Sequence, residues 1–200
     1  MSTTPAPNVR PPEPSRTVLV TGGAGFLGSR VVELLSETTK NRVLAVDVVE
    51  NARSEELAHL PGVQFRALDL RNVEALEPVV TEADAIVHLA AVRTQAAKAR
   101  PKDAHDVNVG TTYDLLSLAT RHGHARFVFG STNTLYGPYL EPDAAPFSEA
   151  QPWVCRGINM YAATKLASEL AQRTPANLRF RLQGISITVQ LSFTSSVPSA

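Results

Sequence analysis

The sequence predicts an α/β domain built as a doubly wound parallel sheet, and three observations predict it. Short β-branched runs alternate with helix-length amphipathic stretches from about residue 17 onwards. The first run, Thr17-Val18-Leu19-Val20, passes through the glycine-rich turn Thr21-Gly22-Gly23-Ala24-Gly25-Phe26-Leu27-Gly28 straight into a helical pattern. A later run, residues 84–91, is almost continuously apolar, as expected of a central parallel strand buried on both faces.

Bulk composition narrows the class. At 200 residues, with 44% apolar and 19% charged content, the chain is one ordinary globular domain with enough length to bury a core. Its 19 basic residues balance 19 acidic ones, which gives no electrostatic case for nucleic acid or an acidic membrane surface. One cysteine, Cys155, excludes an internal disulfide and fits a reducing compartment. No apolar run has the length of a membrane span, and the amino terminus lacks the apolar stretch of a signal peptide. Cytoplasm is the expected location.

Taken in order, residues 1–16 are proline-rich and aperiodic, and are expected to form a disordered tail. Residues 17–191 then form the domain, and residues 192–200 an irregular end. In the glycine-rich turn, Gly22 suits the tight exit from the strand. Gly25 allows close backbone approach to a pyrophosphate, and Gly28 allows the helix to sit against the strand. The helix start at Phe26 and Leu27 offers N–H groups and partial positive charge to phosphates. Val31, Val32, Leu34 and Leu35 supply its apolar face. The next strand, residues 42–46, ends at Asp47, whose carboxylate can bond an adenosine ribose and repel the 2′-phosphate of NADP. NAD is therefore the expected cofactor of a Rossmann-type sheet.

A short helix is expected over residues 55–60, stopped by Pro61-Gly62, and a third strand over 63–68. That strand delivers Asp69 and Leu70 to the carboxyl edge, where Asp69 can contact the adenine or cap the helix at 73–80. In the central run, Ala90 and Ala91 leave room for a cofactor against the backbone, and His88 reads as a hydrogen-bonded core residue. Residues 103–122 read as one long helix, with Val107, Tyr113, Leu115, Leu116 and Leu118 on its buried side. Asn108 within it is a poor helix former and signals a specific hydrogen bond. A strand at 126–129 leads to the hydroxyl-rich residues 131–134. A long loop, 138–160, precedes a helix opened by Tyr161, and the last strand is expected at 185–191. No His/Cys/Asp/Glu set has metal-ligand spacing.

Tyr161 and Lys165 lie four apart on that helix and so share a face. A phenol near pKa ~10 is a poor base at neutral pH, and an adjacent ammonium favours the phenolate. Thr132 can hold a substrate hydroxyl towards the tyrosine, while Lys165 can also reach a nicotinamide ribose.

These motifs together make the chain resemble the extended short-chain dehydrogenase/reductases, the family of NAD-dependent nucleotide-sugar epimerases and dehydratases. The resemblance runs over residues 17–191. It rests on the glycine-rich turn, Asp47, Asp69-Leu70, His88-Leu89-Ala90-Ala91, Asn108-Val109-Gly110-Thr111, the Ser131–Gly137 segment and Tyr161-x-x-x-Lys165. It implies NAD bound by Gly22, Gly25, Phe26, Leu27, Gly28, Asp47, Asp69, Leu70, Leu89, Ala90, Ala91, Asn108, Tyr161 and Lys165. It implies catalysis by Thr132, Tyr161 and Lys165 on a sugar or nucleotide sugar. A homodimer is compatible with it, formed in the family by the helices carrying Asn108 and Tyr161.

Two departures bear on function. Family dehydratases carry acidic residues after the catalytic threonine, where this chain has Asn133 and Thr134, which argues for an epimerase or a dehydrogenase/reductase. The family's C-terminal substrate lobe is also largely missing from this sequence. A non-catalytic NAD-binding module, or an inactive truncated member of the family, therefore stands beside the enzyme reading.

Overall fold

The structure, a computed structural model, describes residues 15–124, 126–136, 152–153, 158–173 and 181–185. Six parallel strands form one sheet in the order β3-β2-β1-β4-β5-β6. They are β1 (Thr17–Thr21), β2 (Arg42–Asp47), β3 (Val63–Ala67), β4 (Ala85–His88), β5 (Arg126–Gly130) and β6 (Arg181–Ile185). The chain winds outwards from β1 to β3, then crosses back to β4 and winds the other way. This reversal between β1 and β4 opens a crevice at the carboxyl ends of the strands.

Side chains alternate along the strands, so each face of the sheet has its own core. Val18, Val20, Val43 and Ala45 meet Val32 of α1 (Phe26–Thr38) and Leu57 of α2 (Ala52–Ala58). On the other face Leu19, Leu44, Ile86, Phe127 and Phe129 meet α3 (Val73–Thr81) and α6 (Thr111–Arg121) through Leu76, Val80, Leu115 and Leu116. Each such Leu or Phe contributes about 1.5–3 kcal/mol by leaving water, so the central strands are held from both sides. No helix among the described residues is long and apolar enough to cross a membrane.

Several boundaries differ from the sequence expectation, each for a local reason. Helix α2 begins before residue 55 because Asn51 caps it: its side chain accepts from Ser54 N at 3.1 Å while Ser54 Oγ accepts from Asn51 N at 2.9 Å. Leu34 is 58% exposed, since Val31, Val32 and Leu35 already fill the arc of α1 facing the sheet. The expected helix over 103–122 is broken into α5 (Pro101–His105), a π-helical turn (Asp106–Gly110) and α6, with α4 (Thr94–Ala99) before them. The wide turn is stabilised at the Asn108 carbonyl, which accepts from Thr112 Oγ1 at 2.6 Å and Ser168 Oγ at 2.7 Å. Thr112, Leu115 and Leu116 occupy the buried face of α6, and Tyr113 is 60% exposed. Helix α7 (Met160–Gln172) starts one residue before Tyr161, capped by the Asn159 side chain accepting from Ala162 N at 2.9 Å. Strand β6 pairs with β5 in the register Arg126↔Arg181 to Gly130↔Ile185 and so lies earlier than expected. The expected strand residues 186–191, both tails up to residue 14 and from 192, and loop residues 138–151 and 154–157 fall outside the described residues.

His88 ties these layers together as a core residue. Thr112 Oγ1 has one proton, donated to the Asn108 carbonyl, so at 3.0 Å it accepts from His88 Nε2–H. That proton assignment leaves Nδ1 to accept from Thr21 Oγ1 at 2.6 Å. Strands β1 and β4 are thereby bonded to α6 through one neutral imidazole. Burial, with a smaller push from the Lys165 charge, lowers its pKa from 6.5 to about 3. The unfolded chain therefore takes up a proton that the folded chain refuses until about pH 3, and the stability present above pH 6.5 is lost as pH falls. Between pH 6.5 and about 5, where most carboxylates stay ionised, the expected loss is about 2 kcal/mol by urea unfolding. A His88→Gln chain is expected to lack that part of the slope, and equal slopes in the two proteins would contradict the buried neutral imidazole.

Candidate functional site

The carboxyl ends of β1, β2, β4 and β5 open into one cleft of about 670 Å³, a size typical of a small-molecule or cofactor site. One wall is the glycine-rich turn. Gly22 sits at φ +71° with its α-carbon against the β4 exit, where a Cβ would lie 2.7 Å from Ala90 N. Gly28 is tighter still, because a Cβ there would lie 2.0 Å from the Gly22 carbonyl oxygen. No side chain caps α1 and no acidic residue occupies its first turn. Its first N–H groups therefore face the cleft at the positive end of the helix dipole, a setting suited to an anion.

The next wall is β2. Asp47 Oδ2 accepts from Ala24 N at 3.1 Å, and Oδ1 accepts from Val48 N at 2.8 Å. Val49 N also donates to Oδ1, at 3.4 Å, so these bonds fix the carboxylate at the cleft edge and Oδ2 keeps a lone pair for a ligand hydroxyl. Asp69 and Leu70 also line the cleft. The Asp69 carboxylate is held by Arg71, whose Nε lies 3.0 Å from both oxygens, and this hydrogen bonding lowers its pKa. Asp69 does not cap α3; Asn72 does, accepting from Ala75 N at 3.1 Å.

The far end of the cleft is built by α7 and the end of β5. Lys165 is 2% exposed, donates from Nζ to the Gly130 carbonyl at 2.7 Å, and lies 4.3 Å above the Phe129 ring centre. Burial lowers its pKa from 10.5 to about 8, opposed by the charge of Glu169. Tyr161 borders the same space. Burial raises its pKa, and the opposing field comes from Arg93. The sequence reading gave that task to Lys165, but the lysine is drawn to Gly130, leaving Arg93, also in the cleft wall, as the cation acting on the phenol.

Most sequence-predicted residues thus share one cleft, including Gly25, Phe26, Leu27, Leu89, Ala90 and Ala91. Two stand behind its wall. Asn108 is 1% exposed and its amide is fully engaged: Oδ1 accepts from Val92 N at 2.7 Å, and Nδ2 donates to Val92 O and Thr164 Oγ1. It bolts the exit of β4 to α7 instead of facing a ligand. Thr132 is 7% exposed and its hydroxyl lies 3.0 Å from that of Thr134, while its neighbour Ser131 lines the cleft. Ser131, Arg93 and Glu169 were not singled out from sequence; for Glu169 the signal was present, as it follows Lys165 by one helical turn.

The crowding at Gly28 can be tested directly. Gly28→Ala is expected to destabilise the chain by about 2 kcal/mol or more in urea unfolding, since backbone must move to admit the methyl. Gly25→Ala, whose Cβ would meet the Gly22 oxygen at 3.1 Å, is expected to cost less. Equal stability of Gly28→Ala and wild type would contradict the geometry.

Comparison with known proteins agrees with this construction. The chain matches the NAD dependent epimerase/dehydratase family over residues 18–187. It is 34% identical to UDP-glucose 4-epimerase 1 of Oryza sativa subsp. japonica over 165 residues, 77% of this chain and 45% of that protein. The UDP-Glc/GlcNAc 4-epimerase of Campylobacter jejuni superposes with TM-score 0.72 at 28% identity, over 84% of this chain and 52% of the other. The UDP-glucose 4-epimerase of Bifidobacterium longum, solved in complex with NAD+ and UDP, gives 0.67 at 30% identity, over 78% and 48%. The chain spans under half the length of the curated relatives it matches, 45% and 39% for the first two. With its parallel sheet, its glycine turn and its Tyr161-Lys165 pair in one cleft, this chain belongs to the NAD-dependent epimerase/dehydratase family.

Proposed function

We propose that the chain forms the NAD-binding and proton-transfer part of a nucleotide-sugar epimerase. The observation that carries this reading is the pairing, in one cleft, of the uncapped α1 start with Tyr161 and Lys165 at the opposite end. The cleft fits the cofactor: a helix start without an acid suits a pyrophosphate, and Asp47 suits an adenosine ribose while opposing a 2′-phosphate. Asp69 and Leu70 border the adenine end, and Leu89, Ala90 and Ala91 leave the floor low. When bound, NAD supplies a hydride acceptor and a positive ring to the end of the cleft that holds Tyr161.

The protein's own residues handle the proton. Tyr161 Oη takes it from the sugar hydroxyl and returns it; Thr132, with its hydroxyl on Thr134, does not line that space. Arg93 favours the phenolate form that this step needs, against the burial that raises the phenol. General base catalysis of this kind contributes on the order of 10²–10⁴-fold. Asn133 and Thr134 follow Thr132 in a short 3-10 turn, Asn133–Tyr136, and neither has a carboxyl group to protonate a leaving hydroxyl. This favours epimerisation over dehydration.

The test is turnover of UDP-glucose and UDP-galactose by the chain with NAD, beside Tyr161→Phe. The substitution is expected to reduce turnover by at least about 100-fold and leave NAD affinity within about threefold. Undiminished turnover in Tyr161→Phe would remove the tyrosine from the role. NAD binding without turnover of any nucleotide sugar would favour a non-catalytic NAD-binding module.

A further inference from the structure

Glu169 has a setting unlike that of the surface carboxylates. Tyr161, Lys165 and Glu169 follow one another at four-residue intervals, so they form a row along one face of α7. The first two border the cleft, and the third is one turn deeper with its side chain only 13% exposed. Ser131 Oγ, at the cleft wall, donates to Glu169 Oε1. Arg173 Nη2 lies 3.6 Å from Glu169 Oε2, and its own guanidinium lies 4.5 Å over the Trp153 ring. A carboxylate this far from water is costly unless nearby charge and hydrogen bonds offset it.

Lys165 presents the complementary problem. Its ammonium is buried on a carbonyl, Gly130 O, and a ring face, Phe129, and neither supplies a full negative charge. The groups near it are Phe129 and Gly130 on β5, neutral His88 on β4, and Tyr161 and Glu169 on its own helix, with Arg93 beside Tyr161 and Arg173 beyond Glu169. Glu169 is the anion in that set.

We propose that Glu169 is a positioning residue of the site: one turn along α7 from the buried Lys165, its carboxylate supplies the counter-charge of that ammonium and pins the Ser131 hydroxyl next to Gly130, whose carbonyl accepts from Lys165 Nζ. The inference rests on the reading of Lys165 as part of the proposed catalytic end. Field and hydrogen bond act together: losing the carboxylate charge weakens the first and leaves the second nearly intact if an amide takes its place.

Glu169→Gln separates these effects, because the amide oxygen still accepts from Ser131 while the charge is gone. The readout is the pH titration of the Lys165 Cε resonance by NMR in the chain without added ligand. In wild type the midpoint is expected near 8. In Glu169→Gln it is expected to fall by about one pH unit or more, and Glu169→Asp is expected to restore most of the shift. An unchanged midpoint in Glu169→Gln would overturn the proposal. If Gln at 169 prevents folding, the same coupling is measured from the other end, because it is reciprocal. Lys165→Met removes a buried charge for an apolar chain of similar length, a change interiors tolerate. In that protein Glu169→Gln must be tolerated, since no ammonium is left to need the carboxylate, and a double variant that still fails to fold overturns the proposal. Neither readout requires NAD or turnover, so failure here and failure of the epimerase reading are told apart.

Discussion

A Cβ at Gly28 would lie 2.0 Å from the Gly22 carbonyl oxygen, so α1 can press onto the turn leaving β1 only with glycine at that point. The cleft depends on this contact. It sets the helix start low beside the carboxyl ends of β1 and β4, where the winding of the sheet reverses. It also leaves the first N–H groups of α1 without a side-chain cap. A bulkier residue would lift the helix, and the positive end of its dipole would no longer face the crevice. The same crowding at Gly22, against Ala90 N, brings β4 into the wall.

Opposite that apolar squeeze, the site is aligned by buried polar groups that touch no ligand. Asn108 joins the Val92 backbone to Thr164 on α7, the neighbour of Lys165. The Asn108 carbonyl, displaced from ordinary helical pairing by the π-helical turn, receives Thr112 and Ser168. Thr112 then holds His88, and His88 holds Thr21 at the end of β1. From β1 through β4 and α6 to α7 each link is a fully satisfied hydrogen bond, and such networks rigidify the elements they join. The Tyr161–Lys165 end of the cleft and the glycine turn are thus held to one frame, the fixed separation that the proposed hydride and proton transfer would need.

Much of this was readable in the sequence. The parallel sheet followed from short buried runs with glycine or acidic residues at their ends, because a parallel strand in the middle of a sheet has no polar face to show. The cleft residues from Gly22 to Gly28, with Asp47, Asp69 and Ala90, were readable because a backbone-lined site restricts residue type strongly. The misreadings have a common origin. The unbroken helix over 103–122 assumed regular helical phase, which the π-helical turn at Asn108 interrupts through contacts with Thr112 and with Ser168, remote in sequence, while Tyr113 lies within α6 off the stripe of Thr112, Leu115 and Leu116. Helix α4 lacked a long apolar stripe, burying Ala97 alone. Asn108 was recognised as making a specific bond, but its partners at Val92 and Thr164 are fixed only by the fold. Likewise the assignment of Arg93 and Glu169 to the catalytic end depends on which side chains converge, and spacing along the chain does not contain that.

The central claim, that this glycine turn and Asp47 form a working dinucleotide site in this chain, is tested most directly by calorimetric titration of the folded protein with NAD and, separately, NADP. Binding of NAD in the micromolar range with clear preference over NADP is expected, since the Asp47 carboxylate, fixed at the cleft edge by Ala24 N and Val48 N, opposes the charge of a 2′-phosphate. No heat with either nucleotide, from a chain shown to be folded, would contradict it and leave the cleft as inherited architecture without its cofactor.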